Sequence, residues 1–207
     1  ITRLGQLAGG QGGSGQFVGG AMFAPGRVLV LSGSTNAATV VDFRTSTVSA
    51  TATEAIRSLR INGLATVLAD GRVLATGGGG GDGNTLSTAV MPVELWNPVT
   101  NEWTVGPRLT NARLYHGTAL LLPDARVLVA GGGAPGPLTN KNGELYTPPY
   151  LYAADGTLAA RPSITQAPTV VEPTASFAIT ADTAAVARVT LVRFGSVSHG
   201  WNNDQRH

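Results

Sequence analysis

Short apolar runs bounded by Gly, Pro and Asp recur along the first three quarters of the chain, and their period is that of strands. PGRVLVLSGS runs from Pro25 to Ser34, DGRVLATGGG from Asp70 to Gly79, and DARVLVAGGG from Asp124 to Gly133. Each opens on a tight turn, continues as a short Val/Leu strand and ends on small residues suited to a crowded neighbour. A further strand-like segment follows each copy after a variable loop: TVVDF at Thr39, VELWNP at Val93 and GELYTP at Gly143. The pattern predicts two inner strands followed by an outer pair, repeated.

Aligning Arg27, Arg72 and Arg126 gives spacings of 45 and 54 residues, close to the ~50 residues of one blade of a kelch-type β-propeller. Three copies do not close a ring of ~4 to 8 blades. The chain also starts at Ile1 without an initiating Met and stops soon after a strand-like run. It reads as a fragment with further blades upstream. Beyond Tyr152 the pattern changes to Pro-punctuated short strands, RPSI and then APTVVEPTASFAIT, and later to the alternation of Val189, Leu191 and Arg193. This second part reads as the start of an immunoglobulin-like sandwich. The expected fold is all-β, with propeller blades over 1–155 and an incomplete sandwich over 156–207.

Composition agrees. In 207 residues, 43% are hydrophobic and 28 are Gly, while only 13% are charged, which favours many short strands joined by turns. A net charge of +2 without a basic run provides no electrostatic footprint for nucleic acid or an anionic membrane. No apolar run reaches the ~20 residues that span a bilayer as a helix. With no Cys, disulfides and thiolate metal sites within these residues are excluded.

Candidate chemistry is confined to few side chains. Of the three His residues, His116 directly follows Tyr115, and His199 lies in a polar loop near the end. Two imidazoles and a phenolate suit copper; a half-buried structural role for a Tyr-His pair is the alternative reading.

The segments RLYHGTALLLPD and SVSHGWNNDQR, separated by GELYTPPYLYAADGTLAARPSI, resemble the C-terminal third of the galactose oxidase and glyoxal oxidase family of copper-radical oxidases. In that family an adjacent Tyr-His pair of the propeller and a His on a loop of the following domain bind one copper ion. The resemblance implies Tyr115 as axial ligand, and His116 and His199 as imidazole ligands. It implies that Asp204, Gln205 and Arg206 brace the loop. It also implies a mechanism in which Tyr115 as phenolate takes the substrate's hydroxyl proton and a tyrosyl radical removes hydrogen from carbon. Dioxygen then restores the site and leaves as hydrogen peroxide. The radical tyrosine is cross-linked to a cysteine, and both are expected upstream of Ile1. Asn62, in RINGLATVLAD, marks the corresponding turn of the preceding repeat.

The same resemblance implies an enzyme oxidising small alcohols, aldehydes or carbohydrates with O2, secreted and monomeric at full length, with no nucleic-acid or membrane partner. The isolated fragment is expected to be inactive. The competing class is a non-catalytic kelch and immunoglobulin-like protein binding glycan or protein. Other features read as structural. Gly77 to Gly81 has no following Lys-Ser/Thr of a phosphate loop. Trp96 and Trp103 flank a hairpin turn and read as blade packing. Trp201 reads equally as pocket lining or as packing, and the loop from Gly79 to Val90 as part of the site's rim.

Overall fold

In the computed structural model, residues 18–33, 35–203, 205 and 207 are described. Their order is β1 (Gly20–Ala24), β2 (Arg27–Leu31), β3 (Ala38–Asp42), β4 (Ser49–Ala52), β5 (Leu64–Val67), β6 (Val73–Thr76), β7 (Pro92–Trp96), β8 (Trp103–Arg108), β9 (Gly117–Leu121), β10 (Val127–Gly131), β11 (Gly143–Tyr146), β12 (Ile164–Gln166), β13 (Thr180–Ala181), β14 (Val197–Ser198) and β15 (Trp201–Asn202). The described residues are all-β apart from two short 3-10 turns, with several sheets and no closed barrel. No helix among them is long and apolar enough to cross a membrane.

Three antiparallel meanders carry the repeats: β1 to β4, β5 to β8, and β9 to β11. The three Val/Leu runs are the second strands β2, β6 and β10, and the segments after the variable loops are the third strands β3, β7 and β11. The first strands lie side by side, β1 against β5 and β5 against β9. Burial falls from inside to outside: every residue of β5 and β6 is buried, whereas β4 is wholly exposed. A strand covered on both faces has no polar face to offer, hence LATV and VLAT rather than alternation.

The turns that start the second strands are built locally. Asp70 accepts from the Arg72 backbone and from its Nε, and Asp124 does the same for Arg126. The Pro-Gly copy lacks that Asp, and Arg27 instead pairs across the ladder with Asp42. The first two meanders share a core of Phe23, Leu29, Leu31, Val40, Val67, Val73 and Trp96. Phe23 meets Trp96 edge-on at 4.9 Å. Trp96 is 2% exposed, and Trp103 donates to Thr53. These indoles pack between strands, as the sequence indicates. The glycine run is structural too: the Gly78 N–H donates to the Arg113 carbonyl at 2.7 Å, tying the second meander to the third.

Two compact units divide the chain. Pro149–Thr190 is one; it contains the short β12–β13 pair and a 3-10 turn, and most of its side chains are exposed. The other comprises the residues up to Pro148 together with Leu191–His207. The last seventeen residues therefore belong with the meanders, whereas the change of pattern beyond Tyr152 suggests a second domain running on to 207. The reason is backbone pairing, for β15 extends the first sheet alongside β1, with Gly20 opposite Trp201. The alternating run from Val189 likewise differs from its expected strand. Only Arg193 takes part in an isolated bridge, and Val189 and Leu191, outside any strand, are 68% and 85% exposed; alternation makes a strand only where a partner supplies the hydrogen bonds along its length.

Candidate metal centre

Two turns present the candidate ligands. The first is the turn Leu114–Tyr115–His116–Gly117, closed by the Gly117 N–H on the Leu114 carbonyl at 3.0 Å. Leu114 is fully buried and anchors it. His116 has φ 63, a left-handed conformation uncommon for a residue with a Cβ and concentrated at functional turns. The same turn occurs one meander earlier as Arg60–Ile61–Asn62–Gly63, with the equivalent hydrogen bond and φ 59 at Asn62. Tyr115 thus occupies the position of Ile61, and His116 that of Asn62. Even the side-chain bond is repeated, since Asn62 donates to the Gly83 carbonyl and His116 Nδ1 lies 2.7 Å from the Ala134 carbonyl. A repeated structural turn carries new side chains.

The second turn is the two-residue loop of the β14–β15 hairpin. Ser198 pairs with Trp201, and the intervening His199 and Gly200 have φ 50 and 86. Positive φ at both central residues is the requirement of a type I′ turn, whose twist matches that of its strands. His199 therefore stands at the tip of a hairpin. The hairpin packs on all three first strands, β14 on β9 and β15 on β1 and β5. Its seat explains Gly20, because a Cβ there meets the Trp201 indole at 2.5 Å. Trp201 is thus a packing residue on the first strand.

These elements bring the three rings together. Tyr115 stacks on His116 with centroids 3.7 Å apart, and His199 lies 5.7 Å from Tyr115 and 5.6 Å from His116. Both imidazoles are exposed and Tyr115 is half-buried. A carbonyl only accepts, so the Ala134 oxygen holds the hydrogen of neutral His116 on Nδ1 and leaves the Nε2 lone pair available, the usual arrangement behind a metal-binding histidine. Two imidazoles and one phenol form a nitrogen and oxygen donor set that fits copper(II). Among the described residues no group of three or more His, Cys, Asp or Glu side chains offers a competing site.

Of the residues expected to brace the loop, Gln205 is fully buried. Its amide accepts from the Val67 N–H at 2.8 Å and donates to the Val67 carbonyl at 2.6 Å, capping β5 as a neighbouring strand does. Asn202 donates to the same Gln205 oxygen. Asp204 and Arg206 lie outside the described residues. The third histidine, His207, sits beside the Asp70-Gly71 turn with Nε2 3.3 Å from the Ala69 carbonyl.

No sequence motif marks the ion pair behind the first turn, a buried arginine on a partly exposed glutamate. Arg113 is fully buried and donates to Glu144 at 2.8 Å and to the carbonyls of Gly131 and Asn142. The repeat does carry a signal for it: Arg60 and Glu94 occupy similar places one meander earlier. Burial by itself raises the Glu144 pKa. The donors outweigh it, namely the Thr110 N–H, the Arg113 guanidinium and the Asn111 backbone and amide, and they hold the carboxyl down at about 2. A carboxylate depressed on folding adds stability above its ordinary pKa of 4.5, and that stability is lost as pH falls from there toward about 2. Unfolding free energies followed by circular dichroism between pH 6 and pH 2 are expected to fall through this window, and Glu144→Gln to flatten that part of the curve. An unchanged slope in the variant would contradict the assignment.

No family model matches the chain. It is 36% identical over 144 residues to two galactose oxidases of Gibberella zeae, a match that covers 68% of this chain and 21% of each relative. It thus spans about a fifth of the length of these relatives. Among solved structures it is similar to a novel fungal alcohol oxidase with catalytic diversity among the AA5 family, in complex with copper. There the TM-score is 0.82 at 26% identity, covering 95% of this chain and 45% of that one.

Proposed function

Since the chain belongs to the galactose oxidase-like family, we propose that it holds the copper of a copper-radical oxidase through Tyr115, His116 and His199. The observation that carries this reading is the meeting of three rings within 6 Å from turns more than eighty residues apart in sequence. In this proposal the three meanders are consecutive blades of a kelch-type propeller, and Pro149–Thr190 begins an immunoglobulin-like domain whose continuation returns His199 to the propeller. The whole protein is read as a secreted monomer.

Bound copper supplies a Lewis acid for an alcohol oxygen and a one-electron acceptor. The chain's own residues hold the metal and move the proton. His116, with its hydrogen turned to Ala134, presents Nε2 as a donor. His199 is held at a hairpin tip, so its imidazole reaches the pair without a long flexible arm. Tyr115 as phenolate accepts the hydroxyl proton of the substrate as general base. The substrates are primary alcohols, aldehydes or carbohydrates with O2, and the two electrons and two protons removed leave as H2O2. With no Cys in the chain, a tyrosine cross-linked to cysteine belongs to residues outside these 207.

The test is peroxide release by the full-length protein on a panel of primary alcohols, aldehydes and galactose. Copper-dependent peroxide formation is expected. Stoichiometric copper without peroxide on any substrate would favour a non-catalytic glycan- or protein-binding role.

A further inference from the structure

We propose that Arg113 and Glu144 are positioning residues for the metal-holding turn, a role that rests on the reading of Tyr115, His116 and His199 as copper ligands. The Glu144 carboxylate, on β11, accepts from the Thr110 N–H at 2.6 Å, the Asn111 N–H at 3.0 Å, the Asn111 amide at 3.3 Å and Arg113 Nη2 at 2.8 Å. All these donors lie in the residues that lead directly into Tyr115. Arg113 Nη1 crosses to the carbonyls of Gly131 and Asn142, each at 3.1 Å, so one guanidinium joins the loop to both β10 and the start of β11. The loop backbone is pinned at further points: Asn140 donates to the Ala112 carbonyl, Gly78 to that of Arg113 and Gly133 to that of Tyr115, each at 2.7 Å. Opposite charges in contact add little net field at the ligands. What the pair supplies is the fixed place of the turn.

The neighbouring meander shows that this is more than a generic brace. Arg60 donates to the equivalent carbonyls of Gly77 and Pro92 and to Glu94, and Glu94 also accepts from the Arg57 N–H. There the arginine is itself the first residue of the turn, whereas Arg113 stands one residue before the turn that begins at Leu114. That displacement lets the same clamp hold a turn that starts on a buried leucine and displays Tyr115 and His116. The Arg60 turn displays Ile61 and Asn62 instead. One clamp serves the ligands, and its copy is a control within the same molecule.

The experiment measures copper affinity by chelator competition, the copper EPR spectrum and the melting temperature in the full-length protein, for wild type, E144A, E144Q and E94Q. E144A is expected to lose about 10- to 100-fold in affinity, the usual effect of removing a group that orients a metal ligand, with an altered spectrum. E144Q, which keeps an acceptor oxygen for the loop, is expected to lose less. E94Q is expected to melt lower yet keep wild-type affinity and spectrum. If E144A does not fold, E144Q decides. Wild-type affinity and spectrum in the folded Glu144 variants would overturn the proposal, as would an equal loss in E94Q. A wild-type protein that binds no copper would overturn the ligand assignment itself.

Discussion

His199→Asn is expected to lower copper affinity by more than about 100-fold without lowering the melting temperature. The two effects separate because of where the histidine stands. His199 and Gly200 are the two central residues of a type I′ turn, and Asn-Gly is the pair that this turn favours most. The imidazole is exposed, so its loss opens no cavity. The substitution removes a ligand while easing the φ of 50 at that position. Removing groups that merely orient a ligand costs about 10- to 100-fold, and removing the ligand itself costs more. Isothermal titration with copper, beside a thermal melt of the same sample, checks both halves. A variant that binds as tightly as wild type would remove His199 from the site; one that binds weakly and melts much lower would point to a structural role.

Glu94→Ala is expected to have the largest effect on stability. Arg60 and Glu94 are 1% and 0% exposed and meet at 2.7 Å. Burial pulls the Arg60 guanidinium below its usual pKa, and Glu94 opposes that pull. Without the carboxylate, a buried cation keeps only its bonds to two carbonyls, and the Arg57 N–H loses its acceptor. Breaking such a pair from one side costs about 3–5 kcal/mol. For a domain of this size that is a fall in melting temperature on the order of 10 °C. Denaturant titration measures it directly. A loss below about 1 kcal/mol would mean that the pair is solvated in the folded protein.

The meanders were legible in the sequence because their signals are local. A Pro-Gly, Asp-Gly or Asp-Ala turn, a Val/Leu run and a stop on small residues specify each second strand without reference to anything distant, and similar strings in three places mark the repeat. The candidate site was legible in a different way, as a proposal drawn from strings that resemble a family, since neither Tyr115-His116 nor His199 announces a metal by itself. Three features were hidden for a physical reason. The parallel pairing of Trp201 with Gly20 joins opposite ends of the chain, and no periodicity reports a partner so far away. Each Arg-Glu ion pair joins an arginine in or just before a turn to a glutamate on a strand more than thirty residues away. The one-residue displacement between Arg60 and Arg113, each measured from its turn, emerges only when the hydrogen bonds of both turns are compared. Conversely, the alternation from Val189 promised a strand, and the described residues show only an isolated bridge at Arg193.

Copper EPR of the full-length protein decides whether Tyr115, His116 and His199 together hold one copper ion. One copper(II) per molecule with hyperfine structure from two imidazole nitrogens is predicted, with one nitrogen lost in His116→Ala and one in His199→Asn. A two-nitrogen spectrum that persists unchanged in both variants would contradict the account.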